Sequence, residues 1–228
     1  ASPTFTVPSL SATAELYFKL PVTDNVGTTS VARTTYQVTV DITPPTIVSI
    51  KRNNPTTANT NASSVTFAVT FSEAVDSNTF TAADIALTQT PANTFSGFTI
   101  GAPQTTDNTT FTVTVSGLAG DGTLGLTLAS GTITGADGNT ATLTDPTGTN
   151  NETYTIDMTA PTLVSIKRNN PTTANTNASS VTFAETFSEE LDSNTFTAAD
   201  IALTQTPANT FSGFTIGAPQ TTDNTTFT

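Results

Sequence analysis

Between residues 64 and 71 the chain alternates without a slip: Val65, Phe67, Val69 and Phe71 are apolar, while Ser64, Thr66, Ala68 and Thr70 are small or polar. A period of two is that of a strand with one face on a core and the other in water. Phe111, Val113 and Val115 repeat the pattern, as do Leu124, Leu126 and Leu128. Turn signals at Gly120-Asp-Gly122 and Ala136-Asp-Gly-Asn139 separate such runs. Between residues 41 and 157 the pattern predicts seven strands, near 46–52, 64–71, 84–89, 95–100, 109–116, 123–129 and 151–156. That is an all-β reading, with two sheets closing on one core.

The pattern then repeats. Thr46-Ile-Val-Ser-Ile-Lys-Arg52 returns as Thr162-Leu-Val-Ser-Ile-Lys-Arg168, and residues 41–112 recur as 157–228. Those 72 positions hold six differences: Ile42 and Met158, Pro44 and Ala160, Ile47 and Leu163, Val69 and Glu185, Ala74 and Glu190, Val75 and Leu191. So little divergence points to recent tandem duplication. Seven short strands in about 115 residues is the strand count of an Ig-like sandwich. The expected organisation is therefore three pieces arranged end to end: 1–41 as the C-terminal part of a first Ig-like domain, 42–157 as a complete repeat, and 158–228 as the N-terminal part of a second. Residues 1–40 read as strands near 4–7, 14–20 and 31–40, with a turn at Asp24-Asn-Val-Gly27. Asp41-Ile-Thr-Pro-Pro45 and Asp157-Met-Thr-Ala-Pro161 are the expected joints, stiffened by proline. The pattern opens in mid-run and the second copy stops inside a strand, so an internal piece of a longer array is expected.

Composition narrows the function. Roughly a quarter of the residues are Thr, a β-branched type that suits a half-wet sheet. Charged residues are only 11% of the chain, and 18 acids against 6 bases give a net charge of −12. Nucleic acid and anionic lipid need clustered cations, so neither is an expected partner. There is no Cys, His or Trp. The commonest general base and the usual zinc ligands are absent, no Gly-x-Ser-x-Gly elbow occurs, and an enzyme is not expected. No apolar run is long enough to insert in a membrane.

The succession Asp-x-Thr-x-Pro, Val-Thr-Phe…Phe-Ser-Glu, Ala-Asp-Ile and Ala-Asp-Gly-Asn resembles the Ig-like repeats of giant bacterial cell-surface adhesins and biofilm proteins. Residues 1–40, with Phe18…Val22-Thr-Asp-Asn25, resemble the end of a PKD- or cadherin-like domain. The resemblance implies a secreted, extracellular rod: an adhesin stalk, or the body of a filament or surface layer. A glycan- or ligand-binding module and a spacer in a secreted enzyme are the alternatives. Glycan binding is poorly served, since Tyr17, Tyr36 and Tyr154 are the only tyrosines.

Strand order predicts where charge collects. Asp41, Glu73, Asp76, Asp107, Asp137 and Asp145 fall at the pole of the complete repeat that faces the preceding joint, with Asp84 and Glu152 at strand edges. Asp121, Asp157, Lys51 and Arg52 fall at the other pole. Two outcomes follow besides ordinary solvated loops. Asp41, Glu73, Asp84 and Asp137 are the candidate ligands for Ca²⁺ at the joint, a use of calcium that the resemblance also implies. Alternatively, Lys51 and Arg52 pair with Glu189, Glu190 and Asp192 of the next repeat. Glu185 stands out, a carboxylate in a strand whose neighbours point inward; a splayed strand end or a bulge is expected to turn it outward. Neighbouring repeats are the expected partners. Residues 1–40 hold roughly the strands that the second copy lacks, so strand addition between chains offers a route to a filament.

Overall fold

A computed structural model describes residues 12–18, 21–30, 36–129, 133–208 and 210–228. The expected strand at 4–7 lies outside the described residues. The fold is all-β, with short 3₁₀ turns and no α-helix among the described residues, and no helix able to cross a membrane. The chain divides into two compact units, Ala1–Met158 and Thr159–Thr228.

In the first unit, β1 (Ala14–Phe18) pairs antiparallel with β4 (Tyr36–Val40), and β2 (Val22–Thr23) with β3 (Thr29–Ser30). The repeat proper follows with β5 (Ile47–Asn54), β6 (Asn59–Thr60), β7 (Ser64–Phe71), β8 (Ile85–Thr90), β9 (Thr99–Ile100) and β10 (Gln104–Thr105). Three more complete it: β11 (Thr110–Ser116), β12 (Gly122–Leu128) and β13 (Tyr154–Ile156). One sheet has the order β10-β11-β7-β5, with β9 also on β11, and the other runs β6-β13-β12-β8. The chain changes sheets between β5 and β6, and β6 then runs parallel to β13. This is the connectivity of an Ig-type sandwich.

Alternation dictates the core. Val65, Phe67, Val69 and Phe71 of β7 are all buried, and they meet Leu124, Leu126 and Leu128 of β12 in a single cluster with Phe111, Tyr154 and Ile156. Burying aromatic and branched side chains at about 1.5–3 kcal/mol each supplies the stabilisation that disulfides give in other small sandwiches. Phe71, Phe80 and Phe111 pack edge to face, with centroids 5.1–5.8 Å apart. Tyr154 is fully buried, and its hydroxyl donates to the Pro55 and Thr66 carbonyls at 2.6 and 2.8 Å. It is a core residue that ties the two sheets, and it offers no stacking face to a sugar.

The second unit has β14 (Leu163–Asn170), β15 (Thr182–Phe187) and β16 (Thr226–Phe227) in one sheet. These are the counterparts of β5, β7 and β11, in matching register down to both irregularities of the β5–β7 pair. The aromatic triad recurs as Phe187, Phe196 and Phe227, with centroids 5.1–5.9 Å apart. Residues 201–206, which match β8, form no strand. In the first unit β8 pairs only with β12, so this segment's ladder depends on a partner of that kind.

Candidate functional site

Three of the four candidate ligands meet at the entry to the sandwich. Oxygens of Asp41, Glu73 and Asp137 lie within 4.8 Å of one another. Local hydrogen bonding explains the meeting. Beyond β7, Ser72 N–H donates to the Thr46 carbonyl, Val75 bridges to Gly135, and Ala136 N–H donates to the Ala74 carbonyl. Glu73 is thereby held beside the 135–139 turn. In that turn Gly138 has φ +90°, a left-handed conformation glycine adopts without strain. Gly135 is needed for space, since a Cβ there would stand 2.5 Å from the Asp137 carboxylate and 3.2 Å from the Pro45 ring.

Asn139 closes the arrangement. Its side-chain amide donates to the Asp41 carbonyl at 3.0 Å, to the Thr43 carbonyl at 3.4 Å and to the Asp137 carboxylate. Just beyond the joint, Thr142 N–H donates to the Pro45 carbonyl. The Asp41 carboxylate accepts from Thr43 N–H at 2.9 Å and from the Thr13 hydroxyl at 2.8 Å, and these bonds hold its pKa below the ordinary value. Glu73 behaves oppositely: burial, then the charges of Asp137 and Asp41, push its pKa up. Its Oε1 is enclosed without a hydrogen-bond partner. The neighbouring carboxylates thus oppose the ionisation of Glu73.

Asp84 is not in this group. It is largely buried, and its Oδ2 accepts from the Thr81 N–H and hydroxyl at 2.8 Å, capping the 3₁₀ turn Ala82–Asp84. The other acids of the expected pole also have hydrogen-bond partners of their own, Asp76 and Asp107 within local turns and Asp145 with a residue of β12. Asp76 accepts from Asn78 N–H, Asp107 from Thr109 and Thr110 N–H, and Asp145 from the Thr127 hydroxyl. Glu152 lies beside the two cations of β5, 3.4 Å from Lys51 Nζ and 3.7 Å from Arg52. The Arg52 N–H donates to it at 3.0 Å, which with those charges lowers its pKa. Lys51 and Arg52 therefore have an acid of their own sandwich as partner. Asn139, Gly135 and Thr13 went unread as site residues in the sequence, although the Ala-Asp-Gly-Asn turn that carries Asn139 was visible.

No family model matches the chain, and no curated protein does. Among solved structures, the N-terminal part of the bacterial S-layer protein SbsC is similar at 18% identity with a TM-score of 0.33, over 56% of this chain. The match spans 26% of that protein's chain.

Proposed function

We propose that the chain is a structural segment of a long extracellular rod at a bacterial cell surface, built from Ig-like repeats. The observation that carries this reading is the duplication itself: two copies differ at six of 72 positions, on a fold whose apolar residues close a core within one repeat. Arrays of that kind gain length by adding beads, and their stability is a sum of bead cores and nearest-neighbour joints. The sandwich commits its aromatic side chains to its interior, which suits a spacer better than a glycan-binding face. The test is to locate the native protein. Antibodies raised against this chain should label intact cells of the producing organism, and labelling that appears only after permeabilisation would refute a surface rod.

A second reading is favoured by the carboxylate triad. Asp41, Glu73 and Asp137 suit a hard cation such as Ca²⁺, which takes six to eight oxygens, the remainder coming from main chain and water. The donor set fits: all ligands are oxygen, and the enclosed Glu73 Oε1 lacks any other partner. Bound there, the ion would tie the joint residue Asp41 to two loops of the sandwich and stiffen the entry to the repeat.

A further inference from the structure

Two of the six differences between the copies fall within one joint. Asp41-Ile-Thr-Pro-Pro45 carries Ile42 and Pro44 where Asp157-Met-Thr-Ala-Pro161 carries Met158 and Ala160. Replacing Pro44 by Ala160 removes a ring that fixes φ, so the outgoing joint has less intrinsic stiffness than the incoming one. Replacing Ile42 by Met158 puts a thioether there. Met158 is the only methionine of the chain, which also lacks Cys, His and Trp. A two-electron oxidant therefore finds a single soft target, and it lies at the exit from the first sandwich.

We infer that Met158 is a modification site, at which oxidation of the sulfur to the sulfoxide by a peroxide detaches the outgoing joint from the first unit. The step balances between the two partners. A sulfur lone pair attacks one peroxide oxygen, and the O–O bond breaks as the S–O bond forms. The proton on the transferred oxygen passes to the departing hydroxide, which leaves as water. Sulfur loses two electrons and the peroxide gains them.

The structure gives Met158 the two properties such a site needs. It is reachable: Met158 is only partly buried, whereas Tyr154 and Ile156 just before it are enclosed. It is also engaged. Its side chain packs against the hydrophobic core of the first unit, and its N–H donates to the Asp121 carboxylate at 2.6 Å. One residue earlier, Asp157 N–H donates to the Thr60 carbonyl at 3.0 Å. These contacts hold the chain to the sandwich beyond β13. A sulfoxide adds a strong acceptor oxygen that apolar neighbours cannot satisfy. The side chain then exchanges core contact for water, and the two backbone bonds lose their support. Ile42 carries no sulfur, so the incoming joint has no such response. The chemistry at Met158 holds wherever the protein resides; its consequence for a surface rod, which meets peroxide outside the cell, rests on the function proposed above.

The experiment treats the full chain with hydrogen peroxide. Mass spectrometry should find one added oxygen, on the fragment that carries Met158. Hydrogen exchange at the Asp157 and Met158 amides should accelerate at least about fivefold, while the amides of β7 stay protected. Methionine sulfoxide reductase should reverse both changes. Met158→Gln, a polar side chain of similar length, should show the fast exchange with no oxidant. Met158→Ile, the residue of the first copy, should keep the slow exchange in peroxide. Any of three results overturns the inference: a folded chain that takes up no oxygen under conditions that fully convert free methionine, uptake that leaves the two amides unchanged, or equal acceleration in Met158→Ile. Antibody labelling of cells tests the rod reading separately, and its failure would leave these three outcomes as decisive as before.

Discussion

The side-chain amide of Asn139 donates to the main-chain carbonyl of Asp41 at 3.0 Å, across 98 residues of sequence. Through that bond a hairpin turn late in the repeat holds the strand-to-strand joint at its start. Asn139→Ala removes the donor to both Asp41 and Thr43 and leaves the sandwich core untouched. Unfolding should be easier by about 1 kcal/mol, a typical net hydrogen-bond contribution. Limited proteolysis between residues 40 and 46 should accelerate more than that figure implies, because the joint loosens locally before the core opens. Equal cleavage rates in variant and parent would show that Asn139 does not hold the joint.

Calcium provides the next prediction. If Asp41, Glu73 and Asp137 take the ion, millimolar Ca²⁺ raises the melting temperature of the chain by the mass action of a ligand that binds only the folded state. Asp137→Asn should abolish the shift, and Asp84→Asn should leave it in place, since Asp84 caps a turn elsewhere. A shift of equal size in both variants would dismiss the triad.

The same cluster sets a pH dependence. Glu73 has its folded pKa raised above the ordinary 4.5, so it contributes stability that is complete below the unfolded value and lost as pH rises through the folded one. Asp41 has its pKa lowered below 3.8, and its contribution, present above that value, is lost as pH falls through the folded one. In chelator, the melting temperature should therefore decline as pH is raised from about 4.5 towards neutrality. Glu73→Gln should flatten the decline. A decline of the same steepness in the variant would remove Glu73 as its source.

Much of this architecture could be read from periodicity. The alternation at 64–71 gave β7 to the residue, because every second side chain there enters the core. The expected strand at 95–100 shrank to Thr99–Ile100, since Phe95 reaches the core from a loop whose N–H donates to the Gln89 side chain. At the site, strand order was enough to bring Asp41, Glu73 and Asp137 to one pole. It could not separate them from Asp84 or Asp107, because turn capping is decided by side-chain hydrogen bonds that leave no mark on the hydrophobic pattern. Glu152 was misplaced for a related reason. The loop before β13 runs back along β5, where Glu152 N–H donates to the Ile50 carbonyl, and its carboxylate lands on Lys51 and Arg52.

That ion pair should contribute little. Both cations and the carboxylate retain contact with solvent, and exposed pairs give about 0–1 kcal/mol. Glu152→Gln should thus lower stability by less than about 1 kcal/mol, with most of the loss vanishing in high salt. The folded pKa of Glu152 is depressed, so its contribution is present above the ordinary 4.5 and disappears as pH falls through the folded value. Denaturant melts of parent and variant should converge in acid. A gap that persists well below the carboxylate range would assign the effect to packing and not to charge.

The six differences between the copies permit one last prediction. Val69 is 0% exposed, with Ile50 and Phe111 opposite it on the neighbouring strands. Its counterpart Glu185 faces an open groove, and partial burial raises its pKa. The same carboxyl placed in the closed sandwich has no water to solvate it and no cation beside it. Val69→Glu should therefore cost about 3 kcal/mol or more, from lost apolar burial and from the work of enclosing an acid. The loss should shrink as pH falls, because a neutral carboxyl is cheaper to bury than a charged one. A chain carrying Val69→Glu that melts like the parent at neutral pH would mean that this strand can turn the side chain outward, and that Val69 is not enclosed by the core formed with Ile50 and Phe111.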